Sequence, residues 1–535
     1  MPLPLLAVGT TERPPPGWRP LAAGMNIEPA PQSAPHEPPE QTGVFTCVGI
    51  AARFRDAPDF WSATGDGLLF AFHLHAFTEM AGYAAGRRTT EGDAFWVRVA
   101  ESWLEHAGRP ARPGWHPYPL SGRIIAWCAA LSAGGWPSEL EHRMLCSLTR
   151  QAAVLQRCIE HDIGGNHVLR NATALVYAGA CLGDDRRARR AIALLRRETS
   201  AQVLADGGHE ERSTAYHRVV RGDLENVATL LGRATGSVPG WLNTACARMS
   251  AWERAMRGPD GRLPLLNDAW EVPAEPAMHN SDALTLLKES GYVVLRHAQD
   301  QLIIDAGPVG PSHLPPHAHA DVLSFVLWAD GRPLVVDPGT FAYTGPQRAM
   351  FRSTAAHSTV EVDGVDQCEF WGDFRAAFMP RIVRLDVNHR GDTVLVTARH
   401  DGYRRLSDPV EHERWFWWLP GEGVVIADRL HAGRVHRVSS RLRLGPGVHA
   451  TTAYAVGPFA IQWLGPGSAP IVAAGEHSPY LGTRMRVDIL QRAGSAKPGA
   501  IFGCAILRHG TRAALADDRL TVTRANGGRL SVTLS

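Results

Sequence analysis

The 535-residue chain contains no run of about 18 apolar residues, so no membrane-spanning helix is expected. Charge of one sign is not in excess either. The 55 Lys and Arg against 53 Asp and Glu leave a net charge of +2, which excludes a strongly basic nucleic-acid binder but leaves room for a local basic cleft. Cysteine is sparse and scattered at positions 47, 128, 146, 158, 181, 246, 368 and 504, with no CxxC pair. Six of the eight sit in apolar, helix-like surroundings, so buried thiols are expected rather than a disulfide framework. A basic n-region is missing from the apolar stretch Met1 to Leu6, which meets polar residues from Thr10 to Arg13. It makes a poor secretory signal; a cytoplasmic compartment is expected, or a periplasmic one if the start site is misassigned.

Apolar residues make up 44% of the chain and charged residues 20%, as in globular proteins. The length exceeds one ordinary core, so two or more domains are expected. Sixteen Trp are a mild excess; most serve packing in any protein, and some suit a sugar-lined cleft. Residues 1–45 are rich in Pro and polar residues and should be extended or disordered. From about Asp59 to Trp270 helical patterns recur between short loops, as in Arg123-Ile124-Ile125-Ala126-Trp127-Cys128, which predicts an α-hairpin array or toroid over 46–275. The character changes near residues 272–288. Beyond it come β-type runs such as Val322 to Trp328 and Leu334-Val335-Val336, joined by the hairpin signal Asp330-Gly331. Residues 276–535 are therefore expected to form an antiparallel β-sandwich.

The chemistry-bearing residues cluster in a few stretches. Pro315-Pro316-His317-Ala318-His319-Ala320-Asp321 is followed by Asp337 and His357. Alternate positions of an extended segment project to one face, so these residues offer nitrogen and oxygen donors of the kind that hold Zn²⁺. Histidines satisfied by structural hydrogen bonds explain the same spacing. With Asp330-Gly331 as the turn, Asp337 pairs near Ser324 rather than beside His319, so contact requires the chain to bend around Pro315-Pro316. Upstream, Asn166-His167 begin a helical run, and Asp206 to His217 is polar, starts with a turn and carries Tyr216. A Tyr can act as base and acid when nearby cations lower its pKa, although most lone Tyr simply pack. Arg348, Arg352, Arg375 and Trp371 decorate the stretch after the metal-like set. Exposed Arg are usually solvated; in a cleft they bind carboxylate or sulfate.

Four stretches together resemble the heparinase II/III-like polysaccharide lyases, a superfamily of heparinases and oligoalginate lyases. They are Asn166-His167 with Asn171, Asp206-Gly207 to Tyr216-His217, His317 to Phe325 with Val336 to Thr340, and Phe351 to Val360. Trp115 to Arg123 is similar to a helical-domain motif of the same proteins. The resemblance implies an N-terminal incomplete (α/α) toroid followed by a C-terminal antiparallel β-sandwich. It implies a carbon–oxygen lyase that opens a uronic-acid polysaccharide or oligosaccharide by β-elimination, in a cleft between the two domains. By motif match Tyr216 is the catalytic acid and base, Asn166 and His167 neutralise the substrate carboxylate, and His317 assists. His319, Asp337 and His357 bind one structural Zn²⁺ per chain, and Asp321 is left as support. Arg123, Arg348, Arg352 and Glu211 are expected to hold the acidic sugars. The chain departs from the family at Gly165, where Asn is common, and at His357-Ser358-Thr359-Val360, where His-Asn-Thr-Val is common.

Two other readings remain. A glycoside hydrolase on the same toroid needs two carboxylates about 5–9.5 Å apart, with Glu210, Glu211 and Asp268 as candidates. A non-catalytic glycan-binding or exopolysaccharide-assembly protein needs none of these groups to react.

Overall fold

The computed structural model describes Leu21 and residues 34–62, 67–275 and 283–534. The chain divides into two compact units. The first comprises Met1–Val203, Arg218–Ser250 and Leu481–Thr483; the second comprises Leu204–His217, Ala251–Tyr480 and Arg484–Ser535. The division therefore does not follow the sequence boundary at residue 275: Leu204–His217, with Tyr216, belongs to the β-rich unit. The transition itself falls partly on 276–282, outside the described residues. So do 1–20 and 22–33 of the segment expected to be extended or disordered. Within the remainder, Pro39–Thr42 is a short helix and Val44–Cys47 pairs with Ile50–Arg53, burying Phe45 and Cys47 on one face.

The first unit is an incomplete (α/α) toroid. Its central helix, Pro117–Ala133, starts on a proline, whose missing N–H costs nothing at a helix N-terminus. Residues Leu120 to Cys128 are all buried because the helices Leu68–Ala76, Thr78–Ala85, Ser138–Leu155 and Gly165–Cys181 surround it. The neighbouring Asp185–Gln202 shows the opposite case. It buries only Ala191, Leu195, Thr199 and Gln202, a stripe at helical spacing, and turns its many Arg to water. Side-chain caps close the free N–H groups: Thr89 accepts from Gly92 and Asp184 from Arg187, at 3.0 and 2.9 Å.

The second unit is an antiparallel β-sandwich with a helical start. Five strands follow in chain order, Leu284–Leu287, Tyr292–His297, Asp300–Asp305, Phe325–Ala329 and Arg332–Val335. Pro333 is tolerated because its strand lies at the edge of that sheet. Asp330 and Gly331 both take positive φ, 52° and 78°, as the expected two-residue hairpin requires. A seven-stranded sheet contains Val410–Leu419 and Gly423–His431, which are buried on both faces. Phe416, Trp418, Val424 and Ile426 face one core with Val293, Leu295 and Leu302. Trp415, Trp417, Val425 and Ala427 face another with Leu520, Val522 and Val532 of a three-stranded sheet. Two-residue alternation thus divides one sheet between two cores. Among the described residues nine Trp are fully buried, and none of the eight Cys forms a disulfide.

Candidate active site

In the second unit, the turn-started segment before Tyr216 is built by its own polar groups. Asp206 accepts from Gly208 N–H at 2.9 Å and from Ser290, backbone and hydroxyl, at 2.7 and 2.8 Å. Arg212 adopts φ 56°, uncommon for a non-glycine residue. It is held there by donation from its guanidinium to the carbonyls of Glu210, Glu289 and Ser290. Ser213 then caps the helix Thr214–Thr235, accepting from Tyr216 N–H at 3.1 Å. The result is a tyrosine fixed in the first turn of that helix.

Tyr216 meets His317 face to face, with ring centroids 3.6 Å apart and planes 18° from parallel. Trp270 packs edge-on against the same phenol at 5.3 Å. The Tyr216 hydroxyl lies 2.9 Å from that of Tyr343. Tyr343 was not singled out from sequence; its signal is its place six residues after Asp337, in Asp337-Pro338-Gly339-Thr340-Phe341-Ala342-Tyr343. The imidazole of His317 donates from Nδ1 to Glu211 at 2.5 Å, and both side chains are buried. Glu211, which the sequence offered to sugars, is thus buried and hydrogen-bonded to His317. That bond fixes the tautomer, leaving Nε2 as the other ring nitrogen available for chemistry.

Asp268 forms the floor of this arrangement. It is fully buried, accepts from His319 Nε2–H at 3.0 Å and Thr340 hydroxyl at 3.2 Å, and pairs with Arg348. Burial alone would raise its pKa, but Arg348 and His319 hold it well below the usual carboxylate range. Its backbone N–H donates to the His317 carbonyl at 3.0 Å. Arg348 also donates to the carbonyls of Pro316 and Asp373, at 2.9 and 3.3 Å. Arg352 donates to Gly372 and Asp373 carbonyls at 2.6 and 2.7 Å and lies 4.0 Å over the Phe370 ring. Both guanidiniums, offered by the sequence to acidic sugars in a cleft, are buried and hydrogen-bonded to protein carbonyls. The same holds for Arg123 in the first unit: it is fully buried, stacks 4.1 Å over Trp103 and donates to Gln151 and the His75 carbonyl.

His319, Asp337 and His357 do come together. One ligand atom from each lies within 4.8 Å of the others. The edge strand ends at Val335, after a register shift at Leu327 and Trp328, which releases Asp337 from strict hairpin pairing. His357 Nδ1 donates to Asp337 at 2.8 Å. Among the described residues, His319 Nδ1, His357 Nε2 and one Asp337 oxygen are buried without a hydrogen-bond partner. Burial pushes His319 down to about 4, so its ring is neutral, with the Nδ1 lone pair open. Two bare imidazole nitrogens and a carboxylate oxygen are a donor set suited to Zn²⁺. Asp321 is fully buried beside them, and burial raises it to about 6.

Asn166 and His167 belong to the first unit, at the start of the helix Gly165–Cys181. Gly165 has φ 53°, a region where Gly and Asn are the residues best tolerated, so the departure at this position preserves the backbone. His167 Nδ1 donates to Glu160 at 3.1 Å and its ring lies 5.6 Å from Tyr118. Asn171 bolts Glu160 in place, accepting from its backbone and donating to its carboxylate and to Ser121, at 2.9, 3.0 and 3.0 Å. Burial alone would raise Glu160, but the hydrogen bond and charge of His167 bring it below the usual value. Each unit thus carries a histidine oriented by a buried glutamate.

Two family models match the chain: "Heparinase II/III N-terminus" over residues 77–287 and "Heparinase II/III-like, C-terminal" over 280–496. A heparin-sulfate lyase of Bacteroides stercoris is 27% identical over 370 residues, covering 60% of this chain and 52% of the relative. The chain thus spans about half the length of that relative. The FtsZ-localized protein C of Caulobacter vibrioides is 26% identical over 400 residues, covering 71% of this chain and 68% of the relative. A crystal structure of heparinase III aligns with a TM-score of 0.73 at 17% identity, covering 88% of this chain and 84% of that one. With both family models matched in order and the same fold found in a solved heparinase, the chain belongs to the heparinase II/III-like family.

Proposed function

We propose that the chain is a polysaccharide lyase that cleaves a uronic-acid-containing glycan by β-elimination. The observation that carries this reading is Tyr216, stacked on His317 and sharing a hydrogen bond with Tyr343. Elimination removes the proton at C5, forms the C4–C5 double bond and expels O4, which must gain a proton. Tyr216 takes the C5 proton and returns a proton to O4, with His317 assisting and Tyr343 as a second oxygen along the proton's route. The C5 carboxylate must be neutralised for the enolate to form, and Asn166 with His167 are assigned that role. Glu160 orients His167 in the first unit and Glu211 orients His317 in the second. His319, Asp337 and His357 would hold one Zn²⁺, which supplies cross-linking and positive potential when bound.

A hydrolase is disfavoured because Asp268 is locked by Arg348 and His319, and Glu211 by His317. The non-catalytic reading is kept because one relative, matched over a larger share of both chains than the heparin-sulfate lyase, is named for its localization with FtsZ and not for an activity. One experiment separates these readings. The protein is incubated with a panel of uronans and the product followed by the ultraviolet absorbance of the unsaturated uronate. The lyase reading expects that chromophore from wild type and its loss in Tyr216→Phe. Cleavage without the chromophore favours hydrolysis, and binding without cleavage favours the non-catalytic role.

A further inference from the structure

Among the described residues Trp371 is the one tryptophan that is exposed, at 61%, while the others are buried or half-buried. It sits on the turn of a small hairpin, Glu369–Phe370 paired with Ala376–Phe378, closed by Trp371 N–H to the Arg375 carbonyl at 3.0 Å. Phe374, on the same turn, is exposed at 41%. Large apolar rings left in water on one short turn are informative, since scattered single ones are ordinary but a paired set marks a contact surface. The turn is also held in place. Arg348 and Arg352 reach from beneath to the carbonyls of Gly372 and Asp373, and Gly345 N–H donates to the Asp373 carboxylate at 3.2 Å. Two buried guanidiniums spent on two carbonyls of a surface turn fix the rings it displays.

The turn continues the reactive row. Phe374 lies 6.3 Å from Tyr343, which lies 6.2 Å from His317 and is hydrogen-bonded to Tyr216. Arg375 is exposed, lies 5.9 Å from the Trp371 ring and is in no ion pair among the described residues. We propose that the Trp371–Arg375 turn is a sugar-binding subsite, where the indole of Trp371 stacks on a pyranose ring of the acidic glycan near the bond being cut. A pyranose offers an apolar C–H face to an aromatic plane, and Arg375 meets a carboxylate or sulfate on the same chain. Phe374 lines the path from this platform to Tyr343. A protein or membrane partner would not need the turn to adjoin Tyr216 and His317. The inference rests on the lyase reading and deepens it by naming a subsite.

The test uses the full chain with the same panel of uronans, heparan sulfate, chondroitin sulfate, hyaluronan and alginate among them, as polymers and as tetra- and hexasaccharides. Affinity electrophoresis of Tyr216→Phe measures binding, and initial rates of wild type measure cleavage. Trp371→Ala is expected to raise KM about tenfold, the loss falling on KM rather than kcat, with Trp371→Phe recovering most of it. Arg375→Gln is expected to weaken binding and flatten its salt dependence. In the Tyr216→Phe background, Trp371→Ala should retard less on polymer gels. If wild type cleaves and Trp371→Ala matches it on every substrate, the subsite is refuted and the lyase reading stands. The subsite is likewise refuted if the loss falls on kcat alone, or if Trp371→Phe fails to recover binding. If wild type neither binds nor cleaves any of these glycans, the lyase reading falls and the subsite falls with it.

Discussion

Glu211→Gln isolates the link between the buried glutamate and the imidazole stacked on Tyr216. The carboxylate is 2.5 Å from His317 Nδ1, with both groups buried, so the substitution removes a charge and keeps the shape. A glutamine oxygen still accepts from the same N–H, and the fold is preserved. What is lost is the difference between a charge-assisted hydrogen bond and a neutral one. Bonds to charged groups contribute about 1.5–3 kcal/mol against about 0.5–1.5 kcal/mol for neutral pairs, a gap of roughly 1–1.5 kcal/mol. If that gap bears on the transition state, kcat falls about 5- to 13-fold. Glu211→Ala goes further, because it leaves a buried donor without an acceptor and frees the ring stacked on Tyr216. Misplacement of a reacting group by about 1 Å can cost about 100-fold, so the alanine variant should lose roughly that much. The assay is the initial rate of chromophore formation at saturating uronan, with circular dichroism showing that both variants fold. A kcat within twofold of wild type for both variants would sink the assignment of Glu211 as the group that orients His317.

Other perturbations probe other elements. Asp268→Asn leaves the Arg348 guanidinium buried without its counter-charge and should destabilise the second unit by about 3–5 kcal/mol in denaturant titrations. Arg123→Ala should lower the melting temperature, with KM for glycan unchanged, since its guanidinium serves Trp103, Gln151 and His75 in the helical core. His436 gives a pH signature. Burial alone would push it down, but Asp363 and Asp408, at 2.7 and 2.9 Å, hold it above the usual 6.5. Its contribution is therefore complete below 6.5 and is lost as pH rises through the raised value; His436→Gln should flatten the fall of the melting temperature on the alkaline side.

The break from helical to β-type patterning was legible because the apolar period changes from 3.6 to 2, and the Asp330-Gly331 hairpin because few residue pairs suit two positive φ values. The gathering of His319, Asp337 and His357 was also anticipated, although the simple hairpin register argued against it. A one-residue shift at Leu327 and Trp328 and the end of the strand at Val335 remove that objection. The burial of the arginines was not read from the sequence, because their charge points to sugar binding. Arg123 lies among Leu120, Ile124, Ile125 and Trp127, a neighbourhood that marks the core side of a helix, and Arg348 and Arg352 are one turn apart on the same buried face. Glu160 could not be found from spacing, and for Tyr343 spacing from Asp337 gave only a place and not a role, since each matters through a partner brought near by folding, His167 at seven residues' separation and Tyr216 at 127.

The burial of the metal-like set decides what an ion there could do. His319 and His357 are fully buried and Asp337 is 4% exposed. A catalytic zinc keeps a coordination position open to water or substrate; this set supplies three protein ligands but no face exposed to solvent, and on that burial we assign an ion held here the part of a brace. The brace has a definite route to the chemistry. His319 donates its backbone N–H to Asn267 and its Nε2–H to Asp268, and the Asp268 N–H donates to the carbonyl of His317. Loss of His319 would therefore unsettle both the ion and the floor under His317, whereas loss of His357 would unsettle the ion first. We expect elemental analysis to find about one zinc per wild-type chain and less in both His319→Ala and His357→Ala. We further expect kcat to fall more in His319→Ala than in His357→Ala when both are compared at equal zinc depletion. Equal loss of kcat in the two variants would contradict the route through Asp268.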